Sequence, residues 1–189
     1  SYFLELMKFK YFDKRIYSMK LPYYQNWSED YKKNDFFSLM NINFIRKSVG
    51  YQRTKLREIL KNNKSQKKII QGRYNKRNYY NFLRNSKVSV GAYGWGEVCY
   101  REFEAITCGV AFMTADMSNI ETWPNIYHEG ETYLSYDFDF INFNHKLENL
   151  FSDINLRKKL VNNSRTVLQD CHSSIGKNYF LKKVLEIIE

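Results

Sequence analysis

The sequence predicts an α/β fold, in which a Rossmann-like parallel sheet is flanked by helices. Two features carry this prediction. From residue 42 onward, short apolar segments alternate with amphipathic segments of about ten residues, a pattern typical of parallel strands joined by helices. Three closely spaced glycines also follow one of the apolar segments. The chain has 189 residues, which is enough for one such domain with a full core.

The predicted elements follow from the hydrophobic periodicity. The first is a strand over 42–49, and the helix after it, over 51–62, has an apolar stripe at Leu56, Ile59 and Leu60. The central part is a strand over 67–71, a helix over 76–85, a strand over 87–90, a helix over 97–108, a strand over 110–114, a short helix over 118–122 and a strand over 132–135. Helices over 140–151, 155–169 and 175–188 complete the pattern.

Residues 1–40 differ in character from the rest of the chain. They are aromatic and basic and show no clean hydrophobic period. We interpret 1–40 as a linker or the remnant of a preceding domain, and 41–189 as the Rossmann-like domain with its C-terminal helices.

The charge is unevenly spread. The net charge is +10, and residues 1–90 hold 21 of the 30 Lys and Arg residues but only 6 of the 20 Asp and Glu residues. A basic half suggests an anionic partner, which is a nucleic acid, a membrane surface or a phosphorylated ligand. A solvated lysine-rich surface explains most of these charges equally well. No apolar stretch approaches the roughly 20 residues that a bilayer span requires.

The cysteines predict no metal site. Cys99, Cys108 and Cys171 are odd in number and lack metal-ligand spacing. A reducing, cytoplasmic setting is therefore the simple expectation.

A glycine-rich loop, in the run GAYGWGEVCYREFEAITCG at 91–109, predicts a ligand site. Gly91, Gly94 and Gly96 lie between a predicted strand and a predicted helix. Glycine lets backbone N–H groups approach a ligand, the helix start adds positive potential, and ligands in such folds lie at the carboxyl ends of strands. The loop therefore predicts a phosphate-bearing ligand, although turns also need glycine and neither the dinucleotide nor the P-loop spacing is present.

Charged residues share one face of the helix that follows this loop. Glu97, Arg101 and Glu104 stand at positions i, i+4 and i+7. A surface salt-bridge ladder has the same spacing. Since this ladder begins in a glycine loop, we expect Arg101 to pair with phosphate and a glutamate to accept bonds from ribose hydroxyls. Glu102 falls towards the apolar side, and the helical pattern gives no account of it.

Two further groups are candidates for the same crevice. Arg53 and Lys55 stand near the start of the helix over 51–62, where cations oppose the helix dipole and a bound diphosphate would offset that cost. An ordinary basic helix is the alternative. Asn119 follows the strand over 110–114 and either faces the crevice or caps the next helix.

Residues 94–127, GWGEVCYREFEAITCGVAFMTADMSNIETWPNIY, resemble the donor-binding half of GT-B glycosyltransferases of the glycosyl transferases group 1 kind. The resemblance covers roughly 44–172 and is densest at FEAITCG. It implies one half of a GT-B architecture, with a nucleotide-sugar bound at the carboxyl edge of the sheet. By position in the motif, Glu104 would hold the ribose, and Gly94, Gly96 and Glu97 would lie against the donor phosphates or sugar. Arg53 and Lys55 match the family's basic pair, and Arg101 is a further phosphate candidate.

The resemblance also implies the chemistry and the partners. A sugar would pass from the nucleotide-sugar to an acceptor hydroxyl of a glycan or a lipid-linked molecule, without a metal or any cofactor beyond the donor substrate. The acceptor half would come from an N-terminal domain, so no catalytic residue is assigned, and contact with the inner face of a membrane is expected. One departure is that six residues separate Glu97 from Glu104, where the family pattern has seven.

Two other functions remain open. One is a non-catalytic binding or assembly domain of the same fold. The other is a nucleic-acid-binding module built on the Arg/Tyr-interleaved segment RYNKRNYYNFLR at 73–84, although this segment is also read as the helix over 76–85.

Overall fold

The computed structural model describes residues 30, 32–42, 45–62, 69–70, 72, 74–94 and 98–188. In chain order, its elements are β1 (Asn34–Phe37), α1 (Lys47–Asn62), β2 (Ile69–Ile70), α2 (Lys76–Arg84), β3 (Ser86–Val90), α3 (Tyr100–Thr107), β4 (Ala111–Ala115), β5 (Leu134–Tyr136), α4 (Phe143–Ser152), α5 (Ile154–His172) and α6 (Ser174–Ile188). No helix in these ranges combines the length and the apolar character needed to cross a membrane.

The five strands form one sheet in the order β2-β1-β3-β4-β5, and every pair is parallel. The predicted α/β, Rossmann-like fold is therefore confirmed. The chain goes from β1 outward to β2 and then returns to β3 on the other side of β1. In open parallel sheets, ligands bind outside the carboxyl ends of the strands at such a reversal.

Helices cover both faces of the sheet. Neighbouring strand residues point to opposite faces, so that Phe36 packs in one apolar cluster and Phe37 in the other. The first cluster includes Leu56 of α1 and Leu147 of α4, and the second includes Phe103 of α3. Burial on both faces explains why most of the strands read as continuous apolar runs in the sequence.

The first predicted strand, over 42–49, is wrong. β1 lies upstream at Asn34–Phe37 and pairs with both β2 and β3, while α1 already begins at Lys47. Val49 belongs to the buried stripe of α1, and Ile45 is exposed. The boundary placed at residue 41 thus falls after the first strand of the sheet rather than before it.

The predicted short helix over 118–122 is also wrong. Ser118 and Asn119 form a turn, and the Asp116 carboxylate accepts bonds from the N–H and the hydroxyl of Ser118. Such local side-chain bonds offer the backbone an alternative to a helix. The predicted helix over 97–108 begins only at Tyr100 in the described residues. The other predicted elements are confirmed, with small shifts at their ends.

Candidate functional site

A cavity of about 610 Å³ opens near the carboxyl end of β1. Its lining includes Ser38, Met40, Arg57, Tyr74, Tyr79 and Arg101. Ser38 directly follows β1, while Arg101 comes from the first turn of α3, beyond the glycine loop that follows β3. The cavity therefore lies at the reversal of strand order, on the edge where the sequence predicts a ligand.

Arg101 is the most unusual residue of this cavity. Its Nε and Nη1 atoms are buried and have no hydrogen-bond partner among the described residues, and the same holds for the Ser38 hydroxyl. Burial lowers the pKa of Arg101, but the electrostatic effect of Cys99, Tyr79 and the neighbouring glutamates outweighs it and leaves the pKa raised. The cavity is thus lined by a charged guanidinium and by a serine whose hydroxyl, like two of the guanidinium nitrogens, has no hydrogen-bond partner in the described structure.

Gly91 packs closely against Thr114 and lies in ordinary contact with the Arg101 guanidinium. A Cβ at Gly91 would lie 3.7 Å from Nη1 of Arg101 and 3.3 Å from Oγ1 of Thr114, which is a tight contact. Further along the loop, a Cβ at Gly94 would lie only 2.5 Å from the carbonyl oxygen of Val98. Both glycines therefore permit close approaches that a side chain would obstruct.

Glu104, the predicted ribose ligand, is held by two tyrosines of α2. The Tyr80 hydroxyl donates to Oε1 at 2.8 Å, and the Tyr79 hydroxyl donates to Oε2. Burial, and then the charge of Glu104, raises the pKa of Tyr79, so its hydroxyl remains a donor. Edge-on contacts with Phe37 and Tyr80, both at 5.1 Å between ring centroids, fix the Tyr79 ring.

Glu102 is the residue that the sequence analysis could not explain. Its carboxylate is buried and accepts bonds from the Cys99 N–H at 2.7 Å, the Tyr127 hydroxyl at 2.8 Å and the Thr114 hydroxyl at 3.4 Å. It thereby ties the start of α3 to the end of β4 and to the segment that contains Tyr127. The sequence did contain one indication of this role. Glu102 is the third residue of α3, the position of the glutamate in a capping box, but Cys99 takes the place where Ser or Thr is usual.

Glu102 gives the protein a pH-dependent stability. Burial raises its pKa from 4.5 to about 7, and the bonds from Cys99 and Tyr127 and the charge of Arg101 offset only part of this. The folded state therefore binds a proton more tightly than the unfolded state, so the contribution of Glu102 is complete below pH 4.5 and is lost as the pH rises through about 7.

We expect the free energy of unfolding, measured by urea denaturation, to fall by about 3 kcal/mol across this window because of Glu102. Glu102→Gln removes the titration but keeps the shape of the side chain. The difference in stability between the wild type and this variant should therefore change with pH between about 4.5 and 7. Parallel stability profiles for the two proteins would contradict the assignment.

Arg53 is buried in the protein, whereas Lys55 is exposed. The buried Arg53 donates from Nε and Nη2 to the Tyr93 carbonyl, at 3.0 and 2.7 Å, and from Nη1 to the Asn41 carbonyl at 3.0 Å. Burial, followed by the charge of Arg101, lowers its pKa. Arg53 thus joins the segment after β1 to the glycine loop. Lys55 is exposed and is not among the described cavity residues, whereas Arg57 lines the cavity.

Three predicted site residues remain, and two of them lie outside the residues that the structure describes. Gly96 and Glu97 lie outside the described residues, so their roles stay predictions. Asn119 lies in the exposed turn after β4. Of the predicted residues that the structure describes, Arg101 lines the cavity, Glu104 contacts Tyr79 of the cavity lining without being among the lining residues itself, and Asn119 and Lys55 are exposed.

The Arg/Tyr-interleaved segment folds largely as helix α2, with several aromatic residues packed within the protein. Tyr79 and Tyr80 bond to Glu104, and Phe82 packs against Tyr74 at 4.7 Å between ring centroids. These contacts weigh against a stacking platform for nucleic acid. Within the described ranges, no three His, Cys, Asp or Glu side chains could hold a metal ion together, and metal independence stays a prediction.

Two of the solved structures that are similar to this chain are glycosyltransferases. One is the C-terminal domain of a glycosyl transferase group 1 family protein (LpcC) from Francisella tularensis, at 16% identity and a TM-score of 0.48, covering 74% of this chain and 87% of that one. The other is the pneumococcal O-GlcNAc transferase GtfA in complex with UDP and GlcNAc, at 14% identity and a TM-score of 0.47, covering 84% of this chain and 36% of that one. No family model and no curated protein matches the sequence.

Proposed function

We propose that this chain is the donor-binding half of a GT-B glycosyltransferase and that it binds a nucleotide-sugar in the cavity at the carboxyl end of β1. The observation that carries the proposal is the Arg101 guanidinium, which is charged and has two buried nitrogen atoms without a partner in the described structure. Leaving such a group unpaired costs about 1–3 kcal/mol or more, a cost that a bound diphosphate would remove.

Other parts of the site suit the rest of such a ligand. Glu104 lies one helical turn beyond Arg101, and an ionised carboxylate has about four acceptor positions. It can therefore accept a ribose hydroxyl in addition to the bonds from Tyr79 and Tyr80. The Ser38 hydroxyl offers a second unpartnered polar group to the phosphates.

The proposed reaction transfers the sugar to an acceptor hydroxyl. The hydroxyl oxygen forms a bond to the anomeric carbon, the bond from that carbon to the diphosphate breaks, and the nucleoside diphosphate leaves. Arg101 would stabilise the charge that develops on the departing phosphate. The acceptor, a glycan or a lipid-linked molecule, and the group that removes its proton would come from an N-terminal domain. The proposed setting is the cytoplasm, at the inner face of a membrane.

A thermal-shift assay with UDP-, GDP- and TDP-linked sugars tests this function. We expect at least one nucleotide-sugar to raise the melting temperature and Glu104→Ala to abolish that rise, because the ribose contact is lost. Glu58→Ala is the matched control, since Glu58 is an exposed carboxylate on α1, whereas Glu104 is half-buried and bonded to Tyr79 of the cavity lining. If every nucleotide-sugar is without effect and an oligonucleotide binds with a steep salt dependence, the nucleic-acid function replaces this one.

A further inference from the structure

Arg101 has two carboxylates within its own helix, yet it pairs with neither of them. Glu102 is adjacent, and Glu104 stands three residues further on, a spacing at which Arg and Glu commonly form an ion pair. In the described structure, the Nε and Nη1 atoms of Arg101 nevertheless donate to no carboxylate. Something must therefore hold both carboxylates away from the guanidinium.

Hydroxyl donors occupy the oxygens of both glutamates. Tyr80 and Tyr79 each bond to one oxygen of Glu104. Tyr127 and Thr114 bond to Glu102 in the same way, and the Cys99 N–H adds a further bond. The Glu104 donors both come from α2, so they tie the Glu104 carboxylate to a neighbouring helix rather than to Arg101 of its own helix.

We propose that Tyr79 and Tyr80 act as positioning residues that hold Glu104 away from Arg101 and so keep the guanidinium available for an anionic ligand. The anion would be the diphosphate of the nucleotide-sugar, a point that rests on the proposed function. The part of the proposal in which the two tyrosines hold the Glu104 carboxylate in place does not depend on the identity of the ligand.

The tyrosines would affect ligand affinity because Glu104 and the anionic ligand would otherwise compete for the same cation, the Arg101 guanidinium. A charge-assisted bond between Arg and a carboxylate is roughly twice as strong as a neutral hydrogen bond. Without the tyrosine hydroxyls, Glu104 would satisfy its oxygens by turning towards Arg101. A phosphate would then have to displace a carboxylate that is attached to the same helix, and its affinity would fall.

Calorimetric titration with inorganic pyrophosphate provides the test, because pyrophosphate has no ribose and reports on the cation alone. The Tyr79→Phe/Tyr80→Phe variant should bind it at least about 10-fold more weakly than the wild type, which corresponds to the loss of one charge-assisted bond. Adding Glu104→Gln to that variant should restore the affinity to within about 3-fold, because a neutral amide competes poorly for the guanidinium. Tyr51→Phe, which removes an exposed hydroxyl on α1, is the control.

Three results would overturn the proposal. They are a wild-type protein that does not bind pyrophosphate, a double variant that binds it like the wild type, and a double variant that Glu104→Gln fails to rescue. Should the double variant not fold, Tyr80→Phe alone releases one oxygen of Glu104 and should show a smaller loss with the same rescue.

A measurement without ligand separates this proposal from the proposed function. In urea unfolding, a double-mutant cycle of Arg101→Met and Glu104→Gln should show a favourable coupling in the Tyr79→Phe/Tyr80→Phe background that is stronger than the long-range electrostatic coupling in the wild-type background. If that coupling appears while no nucleotide-sugar binds, only the proposed function fails. If nucleotide-sugars bind and the coupling is the same in both backgrounds, only the tyrosine mechanism fails.

Discussion

Replacing Arg101 with methionine is expected to raise the stability of the free protein and to abolish its binding of the nucleotide-sugar. Methionine keeps the aliphatic bulk but removes a guanidinium whose Nε and Nη1 atoms are buried without a partner in the described structure. An unsatisfied buried polar group costs about 1–3 kcal/mol, and the loss of the attraction between Arg101 and the buried Glu102 offsets part of the gain from removing it, so the melting temperature of the free protein should rise by about 2 °C. The loss of two charge-assisted bonds to phosphate should weaken binding at least about 100-fold.

The opposite signs of these two effects distinguish a binding residue from a structural one. Differential scanning fluorimetry with and without the ligand measures both effects in one experiment. Arg77→Met is the matched control, because Arg77 is an exposed residue of α2, and neither quantity should change there. If the ligand-free Arg101→Met protein has a lower melting temperature than the wild type, the guanidinium stabilises the fold and the account is contradicted.

Replacing Glu102 with alanine is expected to cause a large loss of stability. The change removes three hydrogen bonds and leaves the Cys99 N–H, the Tyr127 hydroxyl and the Thr114 hydroxyl without their acceptor in a buried place. Each such group left without a partner destabilises the protein by about 1–3 kcal/mol. The variant also no longer buries a carboxylate, and this gain in stability offsets part of the loss. We expect the free energy of unfolding at pH 7.5 to fall by about 3 kcal/mol.

Urea denaturation checks this value, and Glu131→Ala provides the comparison. Glu131 also bonds to two side chains, Lys159 at 2.6 Å and Asn163 at 3.1 Å, but it is exposed. Exposed ion pairs contribute about 0–1 kcal/mol, so this variant should lose little stability. Similar losses in the two variants would contradict the role given to Glu102 as the buried link between α3, β4 and the segment of Tyr127.

Hydrophobic periodicity was sufficient for most of the fold. The strands β3, β4 and β5 and the helices after β3 and β5 are confirmed, because burial on both faces of the sheet leaves apolar runs that are easy to recognise. β1 was missed since half of its four residues, Asn34 and Asp35, are polar. The apolar residues of the strand that was predicted instead, over 42–49, include Val49, which belongs to α1, and Ile45, which is exposed to solvent.

The candidate site was predictable in its position but not in its contacts. The glycine loop and the strand before it indicated the edge of the sheet at which the cavity opens, and the helical spacing indicated Arg101, which lines that cavity. The state of Arg101 depends on Tyr79 and Tyr80, which come from another helix and meet Glu104 only in the folded chain. Likewise, a helical wheel assigns Glu102 to the apolar side, and only the partners Thr114 and Tyr127 explain why a carboxylate is buried there.

A crystal structure of the chain with the nucleotide-sugar that gives the largest thermal shift is the most direct test of the proposed donor site. The proposal predicts a diphosphate oxygen within about 3 Å of a guanidinium nitrogen of Arg101, inside the cavity that Ser38 and Tyr79 also line. It further predicts that the Tyr79 and Tyr80 hydroxyls remain on Glu104 in the complex. A diphosphate bound outside this cavity, with Arg101 still unpartnered, would contradict the proposal.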